Sequence, residues 1–420
     1  MKKIAPKKIK DQAVVIPGSK SISHRMMICT SLSNGTSNIK NLLQSDDIKL
    51  TINGLKNMGA YIDLVKGNQY RISGFGGNPK PCSKAIYLGN SGTSMRLLAG
   101  IAALGNTCYT LTGDLRMCER PMKELLDALT GLGIQAKSEN KKGSPPVYIQ
   151  GGNRAGGLVK IDCSKSSQYL SSLLMMGALM KNGLDIRLDS PPVSSPYIDL
   201  TIDIMKKFTI AVHQIDSMHY QVPGRQSYIQ GDFFVEPDLS NAGYFWAIGA
   251  ITGKMIFVEN INNNSLQGDL KQIRILEHMG CTLKIENNHI GVCGGSLKAI
   301  DVDMSDTPDA VPAIAVVASF AKGKTRIYNI KHLREKECDR IDAVCSQLMK
   351  MGISVKQGED FLEITGGNPK GAKIETFNDH RIAMAFSIPG LIISGMEIEN
   401  ETCVEKSFPN YWDIFDELQE

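Results

Sequence analysis

A repeat constrains this chain more than any other feature. A charged, amphipathic helical pattern ends in Met-Gly or a close variant and is followed by a short β-like stretch. It reads "DDIKLTINGLKNMGAYI" (46–62), "RPMKELLDALTGLGIQA" (120–136), "SPYIDLTIDIMKKFTIAV" (195–212), "GDLKQIRILEHMGCTLKI" (268–285) and "CDRIDAVCSQLMKMGISV" (338–355). A shorter sixth copy is "FPNYWDIFDEL". The closing positions Gly59, Gly133, Thr209, Gly280 and Gly352 are 74, 76, 71 and 72 residues apart. Such a period marks a supersecondary unit that buries its apolar face against copies of itself.

Between these copies lie six segments richer in small and apolar residues: "SISHRMMICTSL", "GTSMRLLAGIAAL", "SSQYLSSLLMMGAL", "LSNAGYFWAIGAI", "PDAVPAIAVVASFA" and "NDHRIAMAFSI". They are apolar nearly all round, which predicts buried helices. Short alternating stretches such as "KIDCS" and "TRIYNI" predict strands. The unit is therefore α/β, with strands, one buried helix and one surface helix, present six times. A chain of 420 residues is too long for one ordinary core. Six units divide into two domains of three, the second beginning near "GDFFVEPDLS", around Gly231.

The charge balance, 47 basic against 43 acidic side chains, is too even to call for nucleic acid or a membrane. The N-terminal lysines have no interleaved aromatics, which argues against a nucleic-acid surface. The ten cysteines form no CxxC pair, and His332 and Cys338 have no second ligand pair at metal spacing. This pattern fits a reducing compartment. Residues 1–10 are basic without a following apolar signal region, and no apolar run reaches ~18 residues. The expected location is the cytoplasm.

Each buried segment opens with small polar or charged residues: Ser19–Ser21, Asn90–Thr93, Ser166–Gln168, Asp238–Asn241, Asp306–Asp309 and Asn378–Arg381. Helix capping accounts for any one of them. Six together, several beside a Lys or Arg, predict a focus of helix N-termini that attracts anions. "IPGSKSISHR" lacks the earlier glycine of a nucleotide-binding P-loop, which leaves Lys20, Ser21 and Arg25 as an anion cradle. In "LGNSGTSMR" the glycines let backbone approach a ligand closely. "GDLRMCERP" sets Arg120 before a proline, where a guanidinium can clamp a carboxylate or phosphate. "SKSSQ" and "SSPYID" offer hydroxyls at Ser166, Ser167, Ser194 and Tyr197. In "LREKECDR" the spacing predicts Lys336 and Arg340 one turn apart on a helix, a repulsive pair unless an anion bridges it. Glu337 and Arg340 form either a routine exposed pair or part of a site. "TPDA" and "NDHR" place Asp309 and Arg381 at buried helix starts, where charges need partners.

Taken in order, "PGSKSISHR", "LGNSGTSMR", "RMCERP", "SSQ", "SSPYID", "PDA", "KECDR", "NDHR" and "KSFPNYW" resemble the 5-enolpyruvylshikimate-3-phosphate synthase family of enolpyruvyl transferases over nearly the full chain. The resemblance implies a two-domain inside-out α/β barrel with six repeats of a βαβαββ-type unit, three per domain. Residues 20–230 would carry most of the shikimate-3-phosphate site. Residues 1–19 plus 231–420 would carry the catalytic carboxylates and part of the phosphoenolpyruvate site. The implied partners are these two small molecules, with no metal and no organic cofactor, and a monomer is expected.

Carried over by motif, Lys20, Ser21, Arg25, Ser166, Ser167, Gln168, Ser194, Tyr197, Asp309, His332 and Lys336 are expected against shikimate-3-phosphate. Lys20, Gly92, Arg120, Gln168, Arg340, Arg381 and Lys406 are expected against phosphoenolpyruvate. The resemblance makes Asp309 the base for the 5-hydroxyl, and Glu337 with Lys20 the proton donor to the enol methylene. The two substrates bring four anionic groups together, which a dry, cation-lined site offsets.

His332 stands where many members carry asparagine, and Leu97 where proline is frequent. Thr209 replaces a repeat glycine. The rival within the same fold acts on UDP-N-acetylglucosamine and carries a cysteine five residues before an Arg-Pro. Here that position is Leu115, and Cys118 lies only two residues before Arg120. A non-catalytic relative is the remaining alternative, and the charged positions of the motifs argue against it.

Overall fold

The computed structural model describes residues 1–419. Twelve α-helices alternate in character. The buried set is α1 (Lys20–Leu32), α3 (Gly92–Ala103), α5 (Gln168–Gly177), α7 (Leu239–Thr252), α9 (Val311–Ala318) and α11 (His380–Ser387). The amphipathic set is α2 (Asp46–Asn57), α4 (Lys123–Gly131), α6 (Pro196–Lys207), α8 (Gln272–His278), α10 (Arg340–Lys350) and α12 (Tyr411–Glu417). The buried helices are built from small and apolar residues, so neighbours cover them on all sides. In α9 every residue from Val311 to Ala318 is buried. The amphipathic helices bury one stripe, such as Leu125, Leu126, Ala128 and Leu129 of α4.

Six open sheets accompany them. Five are four-stranded and share one pattern: a parallel pair, then two antiparallel pairings. In the first, Asp232–Phe234 runs parallel to Thr36–Lys40, which pairs antiparallel with Gln69–Ser73, and that strand with Tyr61–Lys66. The sixth is the three-stranded set Lys2–Ile4, Met396–Ile398 and Lys373–Ile374. Gln12–Val14 likewise joins a later sheet, running parallel to Ile256–Val258. The content is thus mixed α/β.

The repeat has one backbone signature. Gly59, Gly133, Gly280 and Gly352 all take positive φ, between 77° and 101°, where each amphipathic helix turns into its strand. Thr209 takes the same conformation at φ 63°, so the turn survives without the glycine, at the cost of a β-branched residue in a strained region.

The chain divides into two compact units, Gly18–Val235, and Met1–Pro17 together with the chain from Glu236 onward. Each has its own apolar core. One gathers residues such as Met27, Leu98, Leu173 and Phe208, the other Trp246, Val316, Leu348 and Phe386.

Candidate active site

In the unit Gly18–Val235, the N-terminal turns of α1, α2 and α3 are pinned together. His24 Nδ1 lies 2.7 Å from Thr51 Oγ1, and Thr51 Oγ1 lies 2.7 Å from Ser94 Oγ. Ser91 caps α3 by accepting from the Ser94 amide, whereas Ser19 makes no side-chain cap at α1. Lys20, the first residue of α1, places Nζ 3.3 Å from Oδ2 of buried Asp47 on α2. Ser21 follows it, half-buried.

Arg25 turns inward. Its Nε donates to Thr201 Oγ1 at 2.7 Å, and its Nη atoms donate to Ser171 Oγ and to the carbonyls of Ser21 and Tyr197. Hydroxyls and carbonyls thus take four of the guanidinium's five N–H donors, joining α1, α5 and α6. Burial, partly opposed by Tyr197 and Cys29, pulls its pKa down to about 10, still far above neutrality.

A second basic group gathers between α3 and α5. Arg120 follows a short turn, Met117–Glu119, and donates from Nη1 to the carbonyl and the side-chain oxygen of Asn90, each at 3.1 Å. Its guanidinium lies against Gly92, where an added Cβ would fall 2.5 Å from Nη2. A larger residue there would have to push this guanidinium aside. Arg96 donates from Nη1 to Gln168 Oε1 at 3.0 Å, and Gln168 Nε2 donates to Thr93 Oγ1 at 3.0 Å. The amide of Gln168 is thereby oriented from both ends. Arg96 also lies 5.5 Å from the ring centroid of Tyr169.

Ser166 and Ser167 precede α5, with Ser166 Oγ accepting from the Gln168 amide at 3.3 Å. Ser194 is buried in the left-handed region at φ 55°, and its hydroxyl has no partner among the described residues. Tyr197 opens α6, its carbonyl accepting from Arg25 and Thr201. Among the sequence-predicted residues, Lys20, Ser21, Arg25, Gly92, Arg120, Ser166, Ser167, Gln168, Ser194 and Tyr197 belong to this unit.

In the other unit, Arg340 is the hub. It is 1% exposed and donates to three carboxylates: Nε to Asp379 Oδ2 at 2.7 Å, Nη1 to Asp309 Oδ1 at 2.8 Å and Nη2 to Glu337 Oε2 at 2.9 Å. Burial opposes its charge, but Asp379, Glu337 and Asp309 outweigh that and raise its pKa well above the ordinary value. Arg381 donates from Nη2 to Asp309 Oδ2 at 2.7 Å and from Nη1 to Tyr244 Oη at 3.3 Å. Each oxygen of Asp309 therefore accepts from a guanidinium. Glu337 Oε1 lies 4.0 Å from Lys406 Nζ. The Glu337–Arg340 pair is thus no routine surface bridge.

Asp379 also caps α11, accepting from the Arg381 amide at 2.9 Å. One carboxylate therefore fixes both arginines. His332 is 5% exposed; burial first, then Lys336 and Arg340 against the pull of Asp309, bring its pKa down to about 3. Its imidazole is neutral at physiological pH.

One local expectation is corrected. Lys336 does not share a helix with Arg340. It ends the short turn Lys331–Glu335 in extended backbone, because Asp339 caps α10 through the Asp342 amide and starts that helix at Arg340.

Sequence reasoning missed Asp47, Asn90, Arg96 and Tyr244 as partners, and missed that Asp379 orients two arginines. Arg96 had a signal, since it lies one turn beyond Gly92 on the same helix face. Tyr244 lay hidden in an apolar run. The two arrangements offer cations and hydroxyls for anionic groups, and two carboxylates bridged by one guanidinium for proton transfer.

Known proteins match this chain over nearly its whole length. The profile of the family described as EPSP synthase (3-phosphoshikimate 1-carboxyvinyltransferase) matches residues 5–415. The chain is 42% identical over 409 residues to the 3-phosphoshikimate 1-carboxyvinyltransferase of Tolumonas auensis, covering 96% of this chain and 95% of that one. It is equally 42% identical over 409 residues to the protein of that name from Methanocaldococcus jannaschii, with the same coverage. The solved EPSP synthase from Acinetobacter baumannii superposes with a TM-score of 0.84 at 29% identity, over 99% of this chain and 97% of that one. Sequence, architecture and length agree, and this chain belongs to the EPSP synthase family.

Proposed function

We infer that this protein transfers the 1-carboxyvinyl group of phosphoenolpyruvate to the 5-hydroxyl of shikimate-3-phosphate and releases phosphate. The observation that carries the reading is the match to one enzyme family from residue 5 to residue 415. The carboxylates Asp309 and Glu337 on either side of Arg340 supply the chemistry.

In this reading Asp309 accepts the proton of the 5-hydroxyl as its oxygen attacks C2 of phosphoenolpyruvate. Glu337, assisted by Lys20, gives a proton to the methylene carbon, and a tetrahedral intermediate forms. Elimination then breaks the C–O bond to phosphate, which leaves with the proton held by Asp309, and returns a proton from the new methyl group to Glu337. Arg120, Arg340, Arg381 and Lys406, with Lys20, Gly92 and Gln168, hold phosphoenolpyruvate. Ser166, Ser167 and Ser194 hold the phosphate of the co-substrate. Lys20, Ser21, Arg25, Gln168, Tyr197, Asp309, His332 and Lys336 complete that pocket. Arg25 contributes its charge and its grip on α5 and α6.

The finer architecture goes with this reading: an inside-out two-domain barrel with three repeats per domain, 20–230 and 1–19 plus 231–420. The protein acts as a cytoplasmic monomer. No helix among the described residues is long and apolar enough to cross a membrane.

The test is phosphate release from phosphoenolpyruvate, with shikimate-3-phosphate and with UDP-N-acetylglucosamine in parallel. Release with shikimate-3-phosphate alone is expected. Release only with the nucleotide sugar overturns the substrate assignment.

A further inference from the structure

One carboxylate that the reaction scheme leaves unused joins the two turns that carry Ser166, Ser167 and Ser194. The strands Gly157–Ile161 and Leu184–Leu188 run parallel, with Ile161 opposite Leu188, so both chains leave the sheet side by side at its carboxyl edge. Open α/β sheets place ligands outside that edge. One chain runs through Asp162 to Ser166 and Ser167 ahead of α5, the other through Asp189 to Ser194 ahead of α6. Backbone bonds join them at two points beyond the strands. The Asp189 amide donates to the Ile161 carbonyl at 3.0 Å, and the Val193 amide to the Cys163 carbonyl at 3.3 Å. Between those points stand Pro191 and Pro192, which have no amide hydrogen to give.

Side chains close the gap. Ser190 Oγ donates to Asp162 Oδ1 across the two turns. The same oxygen accepts from the Ser164 amide at 2.8 Å, and Asp162 Oδ2 accepts from Ser164 Oγ at 2.9 Å. The bond from the amide two residues on makes an Asx turn, which bends the chain toward Ser166 and Ser167. Burial opposes the charge on Asp162, but the bonds from Ser190 and Ser164 and the charge of Lys165 outweigh it and hold this carboxyl below its ordinary range. Lys165 itself lies 2.8 Å from Glu124 Oε1, which ties the same turn to α4. On the second turn, the Ser194 hydroxyl is buried with no partner among the described residues, a donor ready for an acceptor. We propose that Asp162 is a positioning residue for shikimate-3-phosphate. It fixes the spacing between Ser166 and Ser167 on one turn and Ser194 on the other, and through them the grip on the phosphate of the co-substrate. This rests on the reading that these three serines hold that phosphate.

The experiment compares wild type with Asp162→Ala in steady-state phosphate release, varying each substrate with the other saturating. The KM for shikimate-3-phosphate is expected to rise about tenfold, the scale of one hydrogen bond to a charged group, with kcat and the KM for phosphoenolpyruvate within about twofold of wild type. Shikimate, which lacks the phosphate, is the second probe. Its inhibition constant against shikimate-3-phosphate is expected to stay within about twofold of wild type. An unchanged KM for shikimate-3-phosphate, an equal rise in both KM values or an equal weakening of shikimate overturns the proposal, because a merely structural role does not single out the phosphate. Should Asp162→Ala fail to fold, Ser190→Ala removes only the bond between the turns and is expected to raise the same KM about threefold. An unmoved KM there overturns the proposal. Wild type inactive with these substrates defeats the underlying reading. An active wild type whose Ser166→Ala and Ser194→Ala variants keep the KM for shikimate-3-phosphate defeats the phosphate site. Where those serine variants raise it and the Asp162 variant does not, only the role of Asp162 falls.

Discussion

Arg340 and Asp379 form a forked pair, with Nε on Oδ2 at 2.7 Å and Nη2 on Oδ1 at 3.3 Å, both residues almost fully buried. The same guanidinium reaches Asp309 and Glu337, so Asp379 is the fixed end of a lever whose other end carries those two carboxylates. Breaking a buried pair from one side costs about 3–5 kcal/mol, because the other charge stays buried. Asp379→Asn is expected to lower unfolding stability in urea on that scale and to reduce kcat/KM steeply. Unchanged stability would contradict the reading.

Gly92→Ala tests the space under Arg120. Alanine is the better helix former by about 1 kcal/mol, so the melting temperature should hold. Its Cβ, however, would sit 2.5 Å from Arg120 Nη2 and displace the guanidinium. The expected outcome is a raised KM for phosphoenolpyruvate with the KM for shikimate-3-phosphate near wild type. Equal changes in both constants would contradict it.

Glu337→Gln keeps an acceptor for Arg340 and cannot supply the proton that the proposed mechanism asks of this residue. Turnover is expected to be lost, while calorimetric affinity for shikimate-3-phosphate stays within about threefold, since uniform binding is not what is removed. Retained turnover removes Glu337 from its role.

His332 gives a pH signature. Its folded pKa of about 3 lies below its ordinary value, so the unfolded chain binds the proton more readily. Stability is therefore unaffected above about pH 6.5 and falls as the pH drops below it, by up to ~1.4 kcal/mol per unit. His332→Asn should flatten this acid-side loss in melting curves. Proton NMR of wild type should show no titration of this imidazole between about pH 5 and about pH 8.

Much of the architecture was legible because its signals are local. The buried helices announce themselves by small apolar residues on every face, and the repeat by a left-handed turn at each closing glycine. Thr209 shows the limit of that rule, holding the same turn with the wrong residue. The charged motif residues were legible as types but not as pairs. That Asp379 binds both Arg340 and the start of α11, or that Asn90 receives Arg120, depends on loops brought together by packing, which no spacing encodes. Lys336 was misplaced because a helical period was extended across Asp339, whose cap interrupts it. Arg25 was legible as part of an anion cradle after Lys20, but not in its contacts within the protein. Its partners Thr201 and Ser171 lie 176 and 146 residues away, beyond any local pattern.

The strand pairing of the first residues bears on the order in which the protein takes shape during synthesis. Lys2–Ile4 must wait for Met396–Ile398, and Gln12–Val14 for Ile256–Val258. The uninterrupted unit Gly18–Val235 can mature while translation continues. The leading segment meanwhile has no sheet to join. Nascent chains stalled near residue 240 should therefore already protect α1–α6 from protease while leaving the first 17 residues open to cleavage.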